Sequence, residues 1–253
     1  MGQSVNHYVG EWWNDLPEVL SYLCTHATGD PGLWWMDYFK RNYATPPRKR
    51  CLVFGCGTGW VERDLFDRAV AETFDAFDGS SEYLAIAAKQ RGARSISYSQ
   101  LNFDSYVPQG SYDLIVNVAS LHHVRLLFRM VHLLSHALES NGLFVNWEYI
   151  GPSRNQYTEA HLAIMRGVND SLPKRFRTSY PLRPDISACL SGDPTEAIHS
   201  ADILTALEGW LEPVERKMLG GGVAYQLLWN NLSEFRKGDQ EAKQGTSQDI
   251  ADS

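Results

Sequence analysis

Three glycines at alternating positions are the first residues in this chain whose spacing points to chemistry. Gly55, Gly57 and Gly59 stand in the segment FGCGTGW, directly after a short apolar run, 51–54. Glycine has no Cβ, so it permits positive φ and lets a ligand approach the backbone closely. Helix-compatible sequence follows at once, and a helix N-terminus offers unpaired N–H groups and partial positive charge. The pattern favours a ligand site, and a tight connection without a ligand is the alternative.

Polar residues follow the next two apolar runs as well. Asp78 ends the run FDAFD, and Gln100 and Asn102 follow the run after it. In a parallel sheet the loops behind neighbouring strands open at the same edge. There an acid can accept hydrogen bonds from both hydroxyls of a ribose, and an amide can face an adenine. The alternative for Asp78 is to cap the helix that begins behind it. A dinucleotide fingerprint is disfavoured, because G-x-G-x-x-G needs glycine where Trp60 stands.

A second group of residues could handle protons or bind an acceptor. His122 and His123 follow the strongest apolar run of the chain. The unperturbed pKa of histidine, about 6.5, suits general base catalysis. The alternative is a pair at a helix start with one imidazole in the core. Glu148 and Tyr149 end a later run and are expected to face the same cleft, and Arg154 is an anchor for an anionic group or a partner of Glu148.

Alternating strands and helices are predicted to position these residues. Strands are predicted at 51–54, 74–77, 95–99, 112–118 and 143–147. Helices are predicted at about 60–70, from 81 onward and at about 124–139, the last stopping at Asn141-Gly142. This alternation is typical of a parallel sheet with helices on both faces. Further on, helices are predicted at 158–168 and 198–210 and a strand at 214–218, whereas 223–229 is open between strand and helix.

Three other regions flank this alternation. Trp12-Trp13 and Trp34-Trp35 mark an N-terminal helical flap, which either packs on the core or closes over a small-molecule site. A proline-punctuated insertion follows the fifth strand, where open α/β sheets bind ligands, and its Asp193 and Glu196 are a helix cap or cleft residues. The polar tail lacks apolar anchors and is predicted to be disordered. The predicted organisation is a flap at 1–48, a main domain at 49–235 with a cap insertion at 151–197, and a tail at 236–253.

Composition excludes several classes of protein. The chain has 253 residues, 43% of them hydrophobic, and a formal net charge of −7, so no general affinity for nucleic acid or anionic membranes is expected. No apolar window is long enough to span a membrane and no signal-peptide pattern opens the chain, which predicts a cytoplasmic protein. The four cysteines show no ligand spacing, so reduced thiols and no metal site are expected. A homodimer is left open.

Four segments resemble the motifs of class I S-adenosylmethionine-dependent methyltransferases. They are CLVFGCGTGWVERDL, FDAFDGSSEYL, LNFDSYVPQGSYDLIVNVASLHHV and ALESNGLFVNWEYIGPSR. The resemblance covers about residues 50–150 and extends more loosely to a bacterial subgroup. The subgroup motifs are Trp13-Asn14, Gly29-Asp30-Pro31, Glu148 to Arg154 (E-Y-x-G-P-S-R) and Asp193 to Ala197 (D-P-[ST]-E-A). The family implies a Rossmann-like, doubly wound α/β fold whose seven-stranded sheet is mostly parallel.

The resemblance also implies S-adenosylmethionine as cofactor and assigns residues to it. The implied contacts are Gly55, Cys56 and Gly57 for the methionine part, Asp78, Gly79 and Ser80 for the ribose, Asn102 and Phe103 for adenine, Val118, Ala119 and Ser120 beneath the sulfonium, and Trp13 from the flap. The family usually carries an acid where this chain has Val53. That departure implies weaker binding or a substitute carboxylate such as Glu62.

The preferred function is methyl transfer to a small-molecule or sugar acceptor, on a hydroxyl. His123 is favoured as base or acceptor-orienting group, with His122 and Glu148 as further catalytic candidates and Tyr149 and Arg154 as substrate contacts. N- or C-methylation of a metabolite is an alternative, and so is a non-catalytic interaction module. A nicotinamide oxidoreductase is disfavoured by the glycine spacing. An RNA or protein methyltransferase is disfavoured by the acidic charge balance and by the absence of an aromatic-proline tetrapeptide at 117–120.

Overall fold

The computed structural model describes residues 16–179, 182–229 and 231–237. The chain divides into two compact units. One, called the sheet unit, comprises Leu33–Asn155 and Asp185–Arg216. The other, called the helical unit, comprises the described parts of 1–32, 156–184 and 217–253.

A five-stranded parallel sheet forms the centre of the sheet unit. Its strands are β1 Arg48–Phe54, β2 Ala71–Asp78, β3 Ile96–Gln100, β4 Tyr112–Val118 and β5 Leu138–Trp147. The spatial order is β3-β2-β1-β4-β5, so the direction of winding reverses between β1 and β4. Phe54 of β1 stands level with Phe77 of β2 and Asn117 of β4. The loops that follow these three strands therefore open together at the switch point where open α/β sheets bind ligands.

Burial on both faces explains the continuous apolar runs of the central strands. All four residues 51–54 of β1 are buried, and so are five in succession at the end of β4, 114–118. Strands covered by helices on both sides have this pattern, in contrast to the alternation of half-exposed strands. The helices that flank these strands in the chain are α3 Trp60–Asp67, α4 Ser81–Gln90 and α5 Leu127–Ala137. Leu65 of α3 and Leu134 of α5 are fully buried.

The predicted strands at 51–54, 74–77, 95–99 and 112–118 are confirmed within β1 to β4. For the helix after β4, the predicted end at Asn141-Gly142 was wrong. The helix stops at Ala137, and β5 begins at Leu138 instead of 143. Tyr112 pairs with Leu138 but Leu114 pairs with Leu143, so a bulge takes up the polar stretch that contains Asn141-Gly142.

The strand predicted at 214–218 was also wrong. That segment has no strand pairing, and Val214 and Met218 are 70% and 62% exposed, so it lacks the buried face that stabilises a strand. Residues 223–229, left open between strand and helix, contain the helix α9 Ala224–Trp229. Five strands lie within the described residues, and the other two of the expected seven are not among them.

The remaining helices belong to both units. The helical unit contains α1 Pro17–Thr28, α6 Glu159–Ser171 and α9, and its small core has Tyr157, Leu162 and Met165 as buried members. The sheet unit adds α2 Trp35–Tyr43, α7 Ile186–Gly192 and α8 Ile203–Glu208. Within the described ranges, no helix combines the length and the apolar character that crossing a bilayer requires. Trp13 and the tail from 238 onward lie outside the described residues.

Candidate active site

The glycine turn joins β1 to α3 in a backbone conformation that favours glycine. Gly55, Gly57 and Gly59 all have positive φ, +64°, +53° and +78°. A Cβ at Gly55 would lie 2.5 Å from the Cβ of Ser120 and 3.2 Å from the Cζ of Phe103. The turn therefore packs directly against the loops that follow β3 and β4, which leaves no room for a side chain at this position.

Asp78 connects the glycine turn to the end of β2. Its Oδ2 accepts a hydrogen bond from the backbone N–H of Gly57 at 2.9 Å, and its Oδ1 accepts one from Ser80 at 2.8 Å. The alternative role as helix cap was wrong, because Ser80 is the N-cap of α4 and its hydroxyl accepts from the backbone N–H of Tyr83. Each oxygen of the half-buried Asp78 carboxylate has a second lone pair, so the group can also accept ligand hydroxyls.

The loop after β3 brings an aromatic ring to the same turn. Phe103 stacks on Phe54 with ring centroids 4.7 Å apart, next to Gly55. Asn102 is exposed, and its side-chain oxygen accepts from the backbone N–H of Asp104. Gln100 donates to the backbone oxygen of Gly79. Asp78 from the end of β2 and Phe103 from the loop after β3 thus reach the glycine turn, whereas the side chains of Gln100 and Asn102 bond to backbone atoms of Gly79 and Asp104.

The loop after β4 is tied to both neighbouring strands. Ala119 has a left-handed backbone, φ +53°, and its N–H donates to the backbone oxygen of Trp147 at 2.8 Å. The Ser120 hydroxyl lies 2.9 Å from the backbone oxygen of Gly55 and donates to it. A non-glycine residue in this conformation costs about 1–3 kcal/mol and marks a position that the surroundings hold in place. Trp147 in turn contacts Trp34 and Trp35 of the flap segment, with ring centroids 5.5 and 5.8 Å apart.

An apolar residue, Val53, stands where the methyltransferases that this chain resembles usually carry an acid. Val53 is buried inside β1. Glu62 is fully buried on α3, and among the described residues neither oxygen of its carboxylate finds a partner in hydrogen-bonding geometry. Burial raises the pKa of Glu62 to about 7. Its Oε1 lies 2.7 Å from the position that a Cβ of Gly59 would take. The carboxylate therefore lies next to Gly59, the third glycine of the turn.

A buried carboxylate organises the residues behind β4 and β5. The side chain of Glu148 is fully buried, and its Oε2 accepts from Asn117 Nδ2 at 3.0 Å and from the backbone N–H of Leu121 at 2.8 Å. Its Oε1 accepts from the backbone N–H of Tyr149 and lies 2.6 Å from His122 Nδ1. With four donors on its two oxygens, Glu148 is held in place and fixes the orientation of the His122 ring.

Both histidines lie against a carboxylate from the segment that follows α7. The Nε2 atoms of His122 and His123 are each 3.7 Å from Glu196 Oε2. The Nδ1 atom of His123 is 3.2 Å from the Thr195 hydroxyl and 3.7 Å from Asp193 Oδ2. Glu196, predicted as either a helix cap or a cleft residue, thus lies beside both histidines.

These contacts move the two imidazole pKa values in opposite directions. Burial by itself lowers the pKa of His122, but the carboxylates of Glu148 and Glu196 outweigh it and raise the pKa to about 10. Burial lowers the pKa of His123, and the charge on His122 lowers it further against the opposing carboxylates. The pKa of Glu196 is lowered, chiefly by its contact with His122.

The two predicted substrate contacts have structural partners. The Tyr149 hydroxyl donates to the backbone oxygen of Pro152, and Arg154 Nη2 donates to that of Pro194 at 3.0 Å. The backbone N–H of Arg154 also donates to Ala197. Arg154 therefore joins the segment after β5 to the one that carries Glu196, and it is not paired with Glu148 as one prediction had it.

Comparison with known proteins agrees with this arrangement. Residues 52–146 match the family model described as a methyltransferase domain. A malonyl-[acyl-carrier protein] O-methyltransferase of Bacillus anthracis is 21% identical over 150 residues, 56% of this chain and 55% of that protein. Its namesake in Bacillus cereus is 21% identical over 135 residues, 53% of this chain and 49% of that protein. The chain thus spans about half the length of the curated relatives it matches.

Solved structures give partial overlaps. An S-adenosylmethionine-dependent methyltransferase from Mesorhizobium loti is 26% identical, with a TM-score of 0.41 over 47% of this chain and 56% of that one. The plantazolicin methyltransferase BpumL is 13% identical, with a TM-score of 0.43 over 64% of this chain and 55% of that one. The matched residues 52–146, which contain the glycine turn, Asp78 and both histidines, are thus similar to a methyltransferase domain.

Proposed function

We propose that this protein transfers a methyl group from S-adenosylmethionine to an oxygen atom of a small-molecule or sugar acceptor. One observation carries the proposal. Asp78 bonds the glycine turn from the end of β2 while Phe103 and Ser120 reach the same turn from the neighbouring loops. A methyltransferase domain with these three loops at the switch point has the polar and aromatic groups that the cofactor requires.

The residues at the turn suit the parts of the cofactor. We assign Gly55, Cys56 and Gly57 to the methionine part, because the two glycines, with positive φ and no Cβ, leave the backbone of the turn open to close approach. Asp78, with Gly79 and Ser80 beside it, is assigned to the ribose, since an ionised carboxylate accepts two hydroxyl hydrogen bonds. Asn102 and Phe103 are assigned to the adenine, and Val118, Ala119 and Ser120 to the floor below the sulfonium. Trp13 is proposed as a further contact.

When bound, the cofactor supplies a methyl group already activated by a positive sulfur. The protein then has to align the acceptor with it, an effect that supplies roughly 7–11 kcal/mol in well-oriented reactions. We place the acceptor next to His123, whose ring is half-exposed, with His122 and Glu148 holding the surrounding geometry. His123 removes the acceptor proton or orients the acceptor oxygen. Tyr149 and Arg154 line this side through the loop they stabilise.

An oxygen acceptor is favoured by the curated relatives. Both are named as O-methyltransferases, and both match about half their length to this chain. Methyl transfer to nitrogen or carbon remains the alternative chemistry. We further propose that residues 151–197 cover the acceptor, that the sheet has the seven strands of the family, and that the protein works in the cytoplasm on a small molecule, without nucleic acid.

Calorimetric titration with S-adenosylmethionine and S-adenosylhomocysteine tests the cofactor assignment. Saturable binding of both is expected, and Asp78→Asn should weaken it, whereas the nearby Asp104→Asn should not. Absence of binding at millimolar cofactor would overturn the proposal. Release of S-adenosylhomocysteine is then measured with a panel of sugars, hydroxylated metabolites and short-chain acids. Binding without turnover on any acceptor would instead support a non-catalytic module, for which the apolar Val53 is the specific observation.

A further inference from the structure

We propose that His122, His123 and Glu196 bind a divalent transition-metal ion of the zinc class. One potential ligand atom from each residue lies within 4.8 Å of the other two. Both imidazole Nε2 atoms are 3.7 Å from the same carboxylate oxygen, Glu196 Oε2. Tetrahedral zinc, with bonds of about 2.0–2.2 Å, separates its ligand atoms by roughly 3.3–3.5 Å. The two distances to Glu196 exceed this separation by a few tenths of an ångström, and the third, which lies within 4.8 Å, would have to shorten by at most about 1.5 Å to complete the site.

The second nitrogen of each ring is already held in the way metal-bound histidines require. Glu148 accepts backbone N–H groups on both oxygens, so His122 Nδ1, at 2.6 Å, is the donor to it. The Thr195 hydroxyl donates to Asp193 Oδ1 at 2.7 Å, so toward His123 Nδ1 it acts as acceptor. Each ring thus carries its hydrogen on Nδ1 and presents Nε2 to Glu196. Metal-ligating histidines almost always donate their other N–H to such an oxygen.

The charges around this cluster favour a cation. Glu148, Asp193 and Glu196 bring three carboxylates to two imidazoles within hydrogen-bonding or ion-pair distance. Two imidazoles and one carboxylate are a ligand set found at zinc sites that keep a position open for water or substrate. The Glu196 side chain is 46% exposed, which leaves a path by which an ion can enter. The alternative is that His122 is protonated and the cluster is held together by hydrogen bonds and ion pairs without a metal ion.

The sequence could not show this site. The two histidines are adjacent, but the carboxylate comes from a segment after α7, and the hydrogen bond from the backbone N–H of Ile198 to the backbone oxygen of His122 brings the two segments together. The ligands of this site are therefore not spaced closely along the chain, and no short sequence motif contains all three of them. The proposal that this cluster binds a metal ion does not depend on the proposed methyltransferase activity. A role for it in holding the acceptor oxygen, in which His123 would act as ligand instead of base, rests on the proposed function.

The test uses the full chain, stripped with a chelator and titrated with Co²⁺ as a spectroscopic probe of a zinc site. One equivalent of Co²⁺ should give visible absorption bands of low-coordinate cobalt, and Zn²⁺ should displace it. Glu196→Gln, which removes one ligand with little change of shape, should weaken Co²⁺ binding at least tenfold. Thr195→Val, which removes the oxygen behind His123, should weaken it about 10- to 100-fold, the usual effect of losing such a partner. Glu208→Gln, an exposed acid on α8, is the matched control and should bind like the parent protein.

Two results would overturn the metal site. One is the absence of stoichiometric Co²⁺ or Zn²⁺ binding at micromolar protein, and the other is Glu196→Gln binding as tightly as the parent. Circular dichroism of each variant shows whether it is folded, and Thr195→Val supplies a second reading if Glu196→Gln is not. Titration of the parent protein with S-adenosylhomocysteine separates the two proposals, because absence of cofactor binding there refutes methyl transfer and leaves the metal result standing.

Discussion

The substitution Gly55→Ala examines whether the glycine turn is a rigid, closely packed floor. Gly55 has φ +64°, and an added Cβ would lie 2.5 Å from Ser120 Cβ and 3.2 Å from Phe103 Cζ. Two costs therefore add. A left-handed backbone costs a residue with a side chain about 1–2 kcal/mol, and overpacking costs about 1–3 kcal/mol. The free energy of unfolding should fall by about 2–5 kcal/mol in total.

Gly92→Ala is a control that matches the first cost and lacks the second. Gly92 has φ +62°, almost the value at Gly55, and the nearest atom to its added Cβ is Arg94 Nη1 at 3.5 Å, an ordinary contact. Both substitutions restrict the unfolded chain equally, so that effect cancels in the comparison. The difference between the two variants therefore measures the overlap with Ser120 and Phe103, expected at about 1–3 kcal/mol.

Urea denaturation followed by circular dichroism gives the two free energies, and calorimetry gives the affinity for S-adenosylhomocysteine. Gly55→Ala should be the less stable variant and should bind the cofactor product more weakly, while Gly92→Ala should keep the parent affinity. Adding Ser120→Gly to Gly55→Ala removes the nearest atoms and should recover part of the stability. If Gly55→Ala is no less stable than Gly92→Ala, the turn is not closely packed and the reasoning fails.

Two further substitutions have clear expectations. Asp78→Asn removes the charged acceptor of the Gly57 and Ser80 N–H groups, which is also the proposed acceptor of the ribose hydroxyls. A hydrogen bond to a charged group contributes about 1.5–3 kcal/mol, so calorimetry should show cofactor binding about 10- to 150-fold weaker. Glu62→Gln tests a buried acid whose pKa is raised to about 7 from 4.5. Because the folded state holds its proton more tightly, the free energy of unfolding should fall as pH rises between these values, by about 1.4 kcal/mol per unit and about 3 kcal/mol in all. The Gln variant should lose that slope in urea denaturation at pH 5 to 8, and an unchanged slope would show that Glu62 does not titrate there.

The sheet and the cofactor side of the site could be predicted because both follow from local sequence. Buried strands leave continuous apolar runs, and the residue after each run must lie at the edge where the strand ends. Asp78, Gln100 and Asn102 were placed in this way, whereas Phe103 was implied only by the family resemblance. The failures also have local causes. The bulge in β5 hides a strand start inside a polar stretch, and 214–218 has strand-forming residues but no surface to bury them against.

The acceptor side could be predicted only in part, because its contacts connect distant residues. Glu148 was expected to face the cleft, but its partners Asn117, Leu121 and His122 lie 31, 27 and 26 positions away. The sequence near the end of β5 does not indicate that buried donors from distant residues will occupy both oxygens of this carboxylate. Thr195 lies 72 positions from His123, and their contact depends on the path of the chain after α7.

One residue joins the two sides of the site. The Ser120 hydroxyl donates to the backbone oxygen of Gly55, and the residue after it, Leu121, donates its backbone N–H to Glu148, which orients His122. The glycine turn is thus connected to the histidine cluster through three hydrogen bonds and one peptide unit. Ala119, the residue before Ser120, has a strained left-handed backbone, so a displacement at Gly55 cannot be absorbed next to this path without cost. Under the proposed function, the loop after β4 would therefore fix the cofactor and acceptor groups relative to each other, which is the condition that an alignment mechanism requires.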